Sequence, residues 1–263
     1  MPKEGENPYA CASDILKMWQ DKGILKIEDK PAIYIYEEEF SVGNTRKSIK
    51  GIIARVQLEE FSKGIILPHE FTLSKAKEDR LNLMKATNCN FSQIYALYMD
   101  EKHTTLATID EQSKAKADLE FTDETGVTHR LWIETDEEII AKLVADFADR
   151  KLYIADGHHR YETALNYRNY CRENGISKPG DPQDFQMIYL VDMEHPGLVV
   201  FPTHRLVRDL PNFDKEAVLE KCSEFFYIDE KEGTDTMEDD LKNSMTRAKK
   251  HSVSIAARAN GSC

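Results

Sequence analysis

Apolar residues recur along this chain with two periods, near two and near 3.6, and the two alternate. Ile15, Leu16 and Trp19 share a helical face, which predicts a helix over 13–23 stopped by Gly23. Strands are expected over 32–36 and 48–58, with a turn at Asn44 that makes them a hairpin. The short run Ile65-Ile66-Leu67 is halted by Pro68, and a helix over 74–87 follows, capped by Ser74 with Leu81 and Met84 inward. Further strands are predicted over 94–99 and 127–134. The sequence Thr135-Asp136-Glu137-Glu138 opens a helix over 136–149, lined by Ile139, Leu143 and Phe147. Next come a strand over 152–155, a helix over 158–174 ended by Gly175, and strands over 185–192 and 197–207. Beyond Asp209 the pattern weakens to one helix over 213–226 and an acidic stretch over 229–240. This succession predicts an α/β fold, with α+β as the alternative.

Composition narrows the picture. With 263 residues and 41% hydrophobic content, the chain can bury a sizeable core. The net charge of −12 opposes non-specific attachment to nucleic acid or to an anionic membrane. No run approaches the roughly 18 apolar residues of a membrane span, and the N-terminus has no signal-peptide pattern. Five scattered cysteines without a CxxC pair suggest reduced thiols and a cytoplasmic location. The change after Asp209 suggests a division into an α/β domain over 1–209 and a partial, truncated C-terminal region over 210–263.

The densest chemistry lies in Leu152-Tyr153-Ile154-Ala155-Asp156-Gly157-His158-His159-Arg160. A strand ends in a turn that carries a carboxylate, two imidazoles and a guanidinium, and a helix begins there. Helix-start amides at 158–160 would face an anion at the positive end of the helix dipole. Arg160 could add a bidentate contact, Gly157 would clear the approach, and Asp156 could hold a cation. Asp-Gly is also an ordinary turn pair, but the appended His-His-Arg favours a functional site.

A second group is His69-Glu70-Phe71-Thr72, left at a strand end by Pro68. Glu70 there could be a general base; on its own it reads more readily as a solvated side chain, with Lys77–Arg80 as an exposed helix face. A third is His195-Pro196-Gly197 with Phe201-Pro202-Thr203-His204-Arg205, which offers His204 and Arg205. His129 ranks lower, as a strand-start residue. Tyr161, Tyr167 and Tyr170 read as helix packing. Phosphate-loop, GxGxxG and kinase HRD signatures are absent, as is the His-Glu-x-x-His spacing of helical zinc proteases.

Several of these segments together resemble a known family. They are Ile65–Thr72 with Lys77-Glu78-Asp79-Arg80, Gly126–Trp132, Tyr153–Arg160 and Phe201–Arg205. They look like the prokaryotic family catalogued as domain of unknown function ten-fifteen, over about 12–210. More distantly, Asp-Gly-His-His-Arg after a strand resembles the ParB/sulfiredoxin-like superfamily and, within it, free serine kinases. That resemblance implies a mixed sheet with helices and a strand–turn–helix phosphate site. It also implies Glu70 as catalytic base with His69 beside it, and Asp156 as a metal or substrate contact. Gly157, His158, His159 and Arg160 would bind the cofactor phosphates; Thr72, His204 and Arg205 would face the substrate.

The leading expectation is therefore a kinase-type phosphotransferase that uses ATP or ADP with Mg2+ on a small hydroxyl compound such as free serine. The alternatives are a metal-dependent hydrolase built on the His/Asp/Glu cluster, and a nucleotide-gated ParB-like binding module. The expected partners are a nucleotide and a small molecule, with nucleic acid and membrane disfavoured and the oligomeric state open. The kinase reading requires Glu70 and His158 to lie within one substrate length of each other.

Overall fold

The computed structural model describes residues 5, 7–70, 74–200 and 213–228, with the side chains of 74–76 excluded. Thr72, His204, Arg205 and the stretch 229–240 fall outside them. The chain divides into two compact units, Met1–Phe201 and Pro202–Cys263. In the second unit the described element is the helix α6 (Lys215–Ser223), N-capped by Asp214.

The first unit is built on one eight-stranded mixed sheet. Its strands are β1 (Ile33–Val42), β2 (Thr45–Gln57), β3 (Ile66–Leu67), β4 (Ile94–Tyr98), β5 (Leu119–Thr122), β6 (Thr128–Glu134), β7 (Leu152–Asp156) and β8 (Phe185–Asp192). Its helices are α1 (Pro8–Asp21), α2 (Ser74–Thr87), α3 (Thr104–Gln112), α4 (Glu137–Asp146) and α5 (His158–Glu173). The spatial order is β3-β7-β4-β8-β2-β1-β6-β5. Pairings β3–β7 and β4–β8 are parallel, and the others are antiparallel.

The predicted hairpin forms with Tyr34 opposite Ile53 and Val42 opposite Thr45. Strand β1 runs six residues past the predicted end at 36, and β2 starts three residues before the predicted 48. Helix α1 starts at Pro8, five residues before the expected Ser13. Asn7 caps it by accepting the amides of Tyr9 and Ala10, and Pro8 supplies a preset first turn. Asp136 caps α4 through the amides of Glu138 and Ile139. The strand expected over 197–207 is not found in its described part, 197–200. There the chain turns instead: the amide of Leu198 bonds the carbonyl of His195, which breaks the extended backbone.

The main core packs one sheet face against α5. Ile35, Ile52, Ile94, Ile154 and Ile188 meet Tyr161, Ala164 and Leu165. The tyrosines at 161 and 167 are buried, as helix packing predicts. Tyr161 also donates its hydroxyl to the Glu59 carbonyl at 2.8 Å. Helix α2 runs beside α5, tied by the Lys77–Glu162 ion pair at 2.6 Å and by Lys85 over the Tyr170 ring. A second cluster, Ile49, Tyr189 and Val191 with Tyr36, Phe40, Tyr95 and Leu97, forms elsewhere on the sheet.

Candidate functional site

The turn between β7 and α5 is positioned by the sheet order. Strand β7 lies between β3 and β4, so the residues just after β3 (68–70) and just before β4 both reach its end. Gly157 makes the reversal with φ +97°, a backbone region that strains any residue with a Cβ. It N-caps α5 without a side chain to bond the first amides, so the helix start presents its dipole with no side-chain cap.

His158 leans toward β3 and is buried, 4% exposed. Its Nε2 accepts the backbone N–H of His69 at 3.2 Å. Only an unprotonated ring nitrogen can accept, so the proton of the neutral ring sits on Nδ1. That Nδ1 faces Glu70 Oε2 at 3.9 Å. Burial lowers the His158 pKa from its ordinary value, the neighbouring His69 adds to this, and Glu70 opposes it. The His69 ring stands edge-on to His158, 4.4 Å between centroids. Its Nδ1 donates to the Ile154 carbonyl at 2.7 Å, which leaves Nε2 3.8 Å from Glu70 Oε1. Ligand atoms of His69, Glu70 and His158 lie within 4.8 Å of one another, while Glu70 itself is exposed.

Arg160 leans the other way, toward β4. Its guanidinium bonds Asp156 and the carbonyl of Gln93, and reaches Ser92 Oγ at 3.3 Å. A Cβ on Gly157 would sit 3.1 Å from that guanidinium. The glycine thus makes room for Arg160, where the sequence suggested room for a phosphate. His159 is half-buried, and its carbonyl accepts the Thr163 hydroxyl at 2.6 Å. The structure therefore brings Glu70, His69 and His158 together on one side of the turn, and Asp156 and Arg160 on the other.

His195 shapes a turn, with Nδ1 accepting the Gly197 amide at 3.0 Å. His129 proves richer than its sequence position suggested. Its Nε2 meets Asp123 Oδ2 at 3.2 Å and its Nδ1 meets the Tyr36 hydroxyl at 2.7 Å. Tyr36 in turn reaches Glu38 at 3.0 Å. Hydrogen bonds from Thr125 and then His129 hold the Asp123 pKa down to about 2. The sole sequence signal for this chain of contacts was the Asp123…His129 spacing across a hairpin turn; Tyr36 comes from a strand ninety-three residues away in sequence.

Among described residues, no helix is long and apolar enough to cross a membrane. No curated protein and no solved structure matches the chain. A family match covers residues 1–261, nearly the whole sequence and both flanks of the β7–α5 turn. The chain belongs to that family, described as "Protein of unknown function (DUF1015)".

Proposed function

We propose that this protein is a nucleotide-dependent phosphotransferase of ParB/sulfiredoxin-like type, acting on a small hydroxyl compound such as free serine. One observation carries the reading: Glu70 and His158, far apart in sequence, meet within 3.9 Å at the start of a helix that lacks a side-chain cap. A phosphoryl group at that helix start gains amide hydrogen bonds and a favourable dipole. An acceptor hydroxyl beside it reaches the exposed Glu70 carboxylate. As the acceptor oxygen bonds to phosphorus and the bond to the leaving nucleotide phosphate breaks, the hydroxyl proton passes to Glu70. His158, neutral with its proton on Nδ1, steadies the carboxylate. Arg160 places a positive charge beside the phosphates, and Asp156 sets its direction. Magnesium held by the exposed Asp156 would neutralise developing phosphate charge.

The metal-dependent hydrolase reading draws on the compact His69–Glu70–His158 group. In the observed bonding, however, His158 spends its lone pair on the His69 amide. His69 Nε2 and Glu70 remain as donors, fewer than the three protein ligands of a typical catalytic zinc. A nucleotide-gated module that binds DNA is opposed by the net charge of −12.

The test incubates the full chain with magnesium, ATP or ADP, and free serine or other small hydroxyl compounds, with products followed by mass spectrometry. Phosphorylated acceptor is expected, and Glu70→Gln should cut its rate by about 10²–10⁴-fold with nucleotide binding kept. No phosphorylated product, together with no nucleotide binding by calorimetry, would sink the reading.

A further inference from the structure

Three tyrosines from three strands form a row on the sheet. Tyr95 of β4 stacks on Tyr189 of β8, centroids 5.4 Å apart and planes 21° apart. Tyr189 meets Tyr36 of β1 edge-on, also at 5.4 Å. Strand β2 runs between β1 and β8, and the rings touch because Gly51 stands opposite Tyr36. A Cβ at Gly51 would lie 2.8 Å from the Tyr189 ring.

A cavity of about 390 Å³ opens on this row. That volume lies within the usual range for small-ligand sites, roughly 300–1,000 Å³. Besides the rings, its lining includes Glu38, Asp156 and Arg160. Its chemistry differs between its two ends. Beside Tyr36, Glu38 takes the tyrosine hydroxyl on Oε1 and is an acceptor-only group with lone pairs to spare. Beside Tyr95 lies Asp156, its ladder partner on β7, followed at once by Arg160 and the start of α5. Flat apolar walls with a hydrogen-bond acceptor at the far end suit a planar heteroaromatic ring that carries an amine. A phosphate attached to such a ring would find the helix start and Arg160 at the near end. An organic cation fits less well, because the positive Arg160 guanidinium itself stands at the cavity.

We propose that this cavity holds the amine-bearing base of a nucleotide, packed on Tyr95 and Tyr36 with its amine toward Glu38 and its phosphates toward the start of α5. The proposal rests on the phosphotransferase reading and adds where, and through which chemistry, the nucleotide is recognised. Base recognition and phosphate recognition then belong to separate residues and can be measured separately.

Calorimetry on the full chain with ADP and with pyrophosphate tests it. ADP should bind about tenfold or more tighter than pyrophosphate, the size expected when a base stacks on an aromatic side chain. Tyr95→Leu and Glu38→Gln should each reduce that advantage and leave pyrophosphate affinity unchanged, which also shows that the variants are folded. If ADP binds no tighter than pyrophosphate, or keeps its full advantage in both variants, the base site is wrong and the phosphate site stands. If neither ligand binds the wild-type chain, the phosphotransferase reading falls and the base site with it.

Discussion

The backbone N–H of His69 donates to Nε2 of His158, 3.2 Å away, and so joins the end of β3 to the first residue of α5. The bond exists only while His158 is neutral, and burial favours that form. The folded-state pKa of His158 is therefore lower than the unfolded value near 6.5. Below 6.5 the unfolded chain takes up a proton that the folded chain refuses, so stability falls as pH falls through this window. Thermal melts from pH 7.5 to 5.5 should show this loss. His158→Gln should flatten it in part, and a residual slope is expected because burial lowers the His195 pKa in the same direction. An unchanged slope in the variant would show that His158 titrates normally.

Gly157→Ala should destabilise the fold by about 1–2 kcal/mol, the cost of a left-handed backbone with a Cβ. The new methyl also meets the Arg160 guanidinium at 3.1 Å. In the double variant Gly157→Ala/Arg160→Ala the steric part should vanish and the backbone part remain. A double-mutant cycle on melting free energies separates the two.

Arg172 makes paired hydrogen bonds to Asp184, 2.8 and 2.7 Å, and the aspartate is buried at 3% exposure. Burial pushes the Asp184 pKa up, but the Gly180 amide and Arg172 outweigh it and the net shift is downward. This stability is present above the unfolded carboxylate pKa and is lost as pH falls through the depressed folded value. Arg172→Met should cost about 2–3 kcal/mol at neutral pH, measured by urea titration, and should weaken the acid-induced loss.

Asp156→Asn should release Arg160 from its ion pair and remove one negative charge from the turn. Pyrophosphate should then bind several-fold tighter in magnesium-free buffer, since an opposing charge near the site is gone. In magnesium the gain should shrink or reverse if Asp156 holds the ion. Calorimetry in both buffers reads the two roles apart.

Local signals made the turn legible from sequence. The run Leu152–Ala155, the breaker Gly157 and the polar cluster after it predict the end of β7 and the start of α5. Strand β8 follows the predicted 185–192 because its apolar run is long and bounded by loop residues. Helix α3 went unforeseen: Thr105, Thr108 and Ile109 are its buried residues, and two threonines hardly register as an apolar face. Thr105 is held by the Asp146 carboxylate and the Arg150 guanidinium, contacts that no local pattern announces. The split of the site was equally hidden. The i,i+4 spacing of Asp156 and Arg160 is visible in sequence, but the Gln93 carbonyl that draws Arg160 toward β4 comes from sixty-seven residues earlier.

Gly51 gives the sheet a surface adjacency that its hydrogen-bond order lacks. Residues of β1 and β8 touch as if their strands were neighbours, because the strand between them has no side chain at the crossing point. The Tyr36–Tyr189 contact that lines part of the cavity is thereby fixed by the backbone of β2. It is a property of the sheet itself, set when three strands pair.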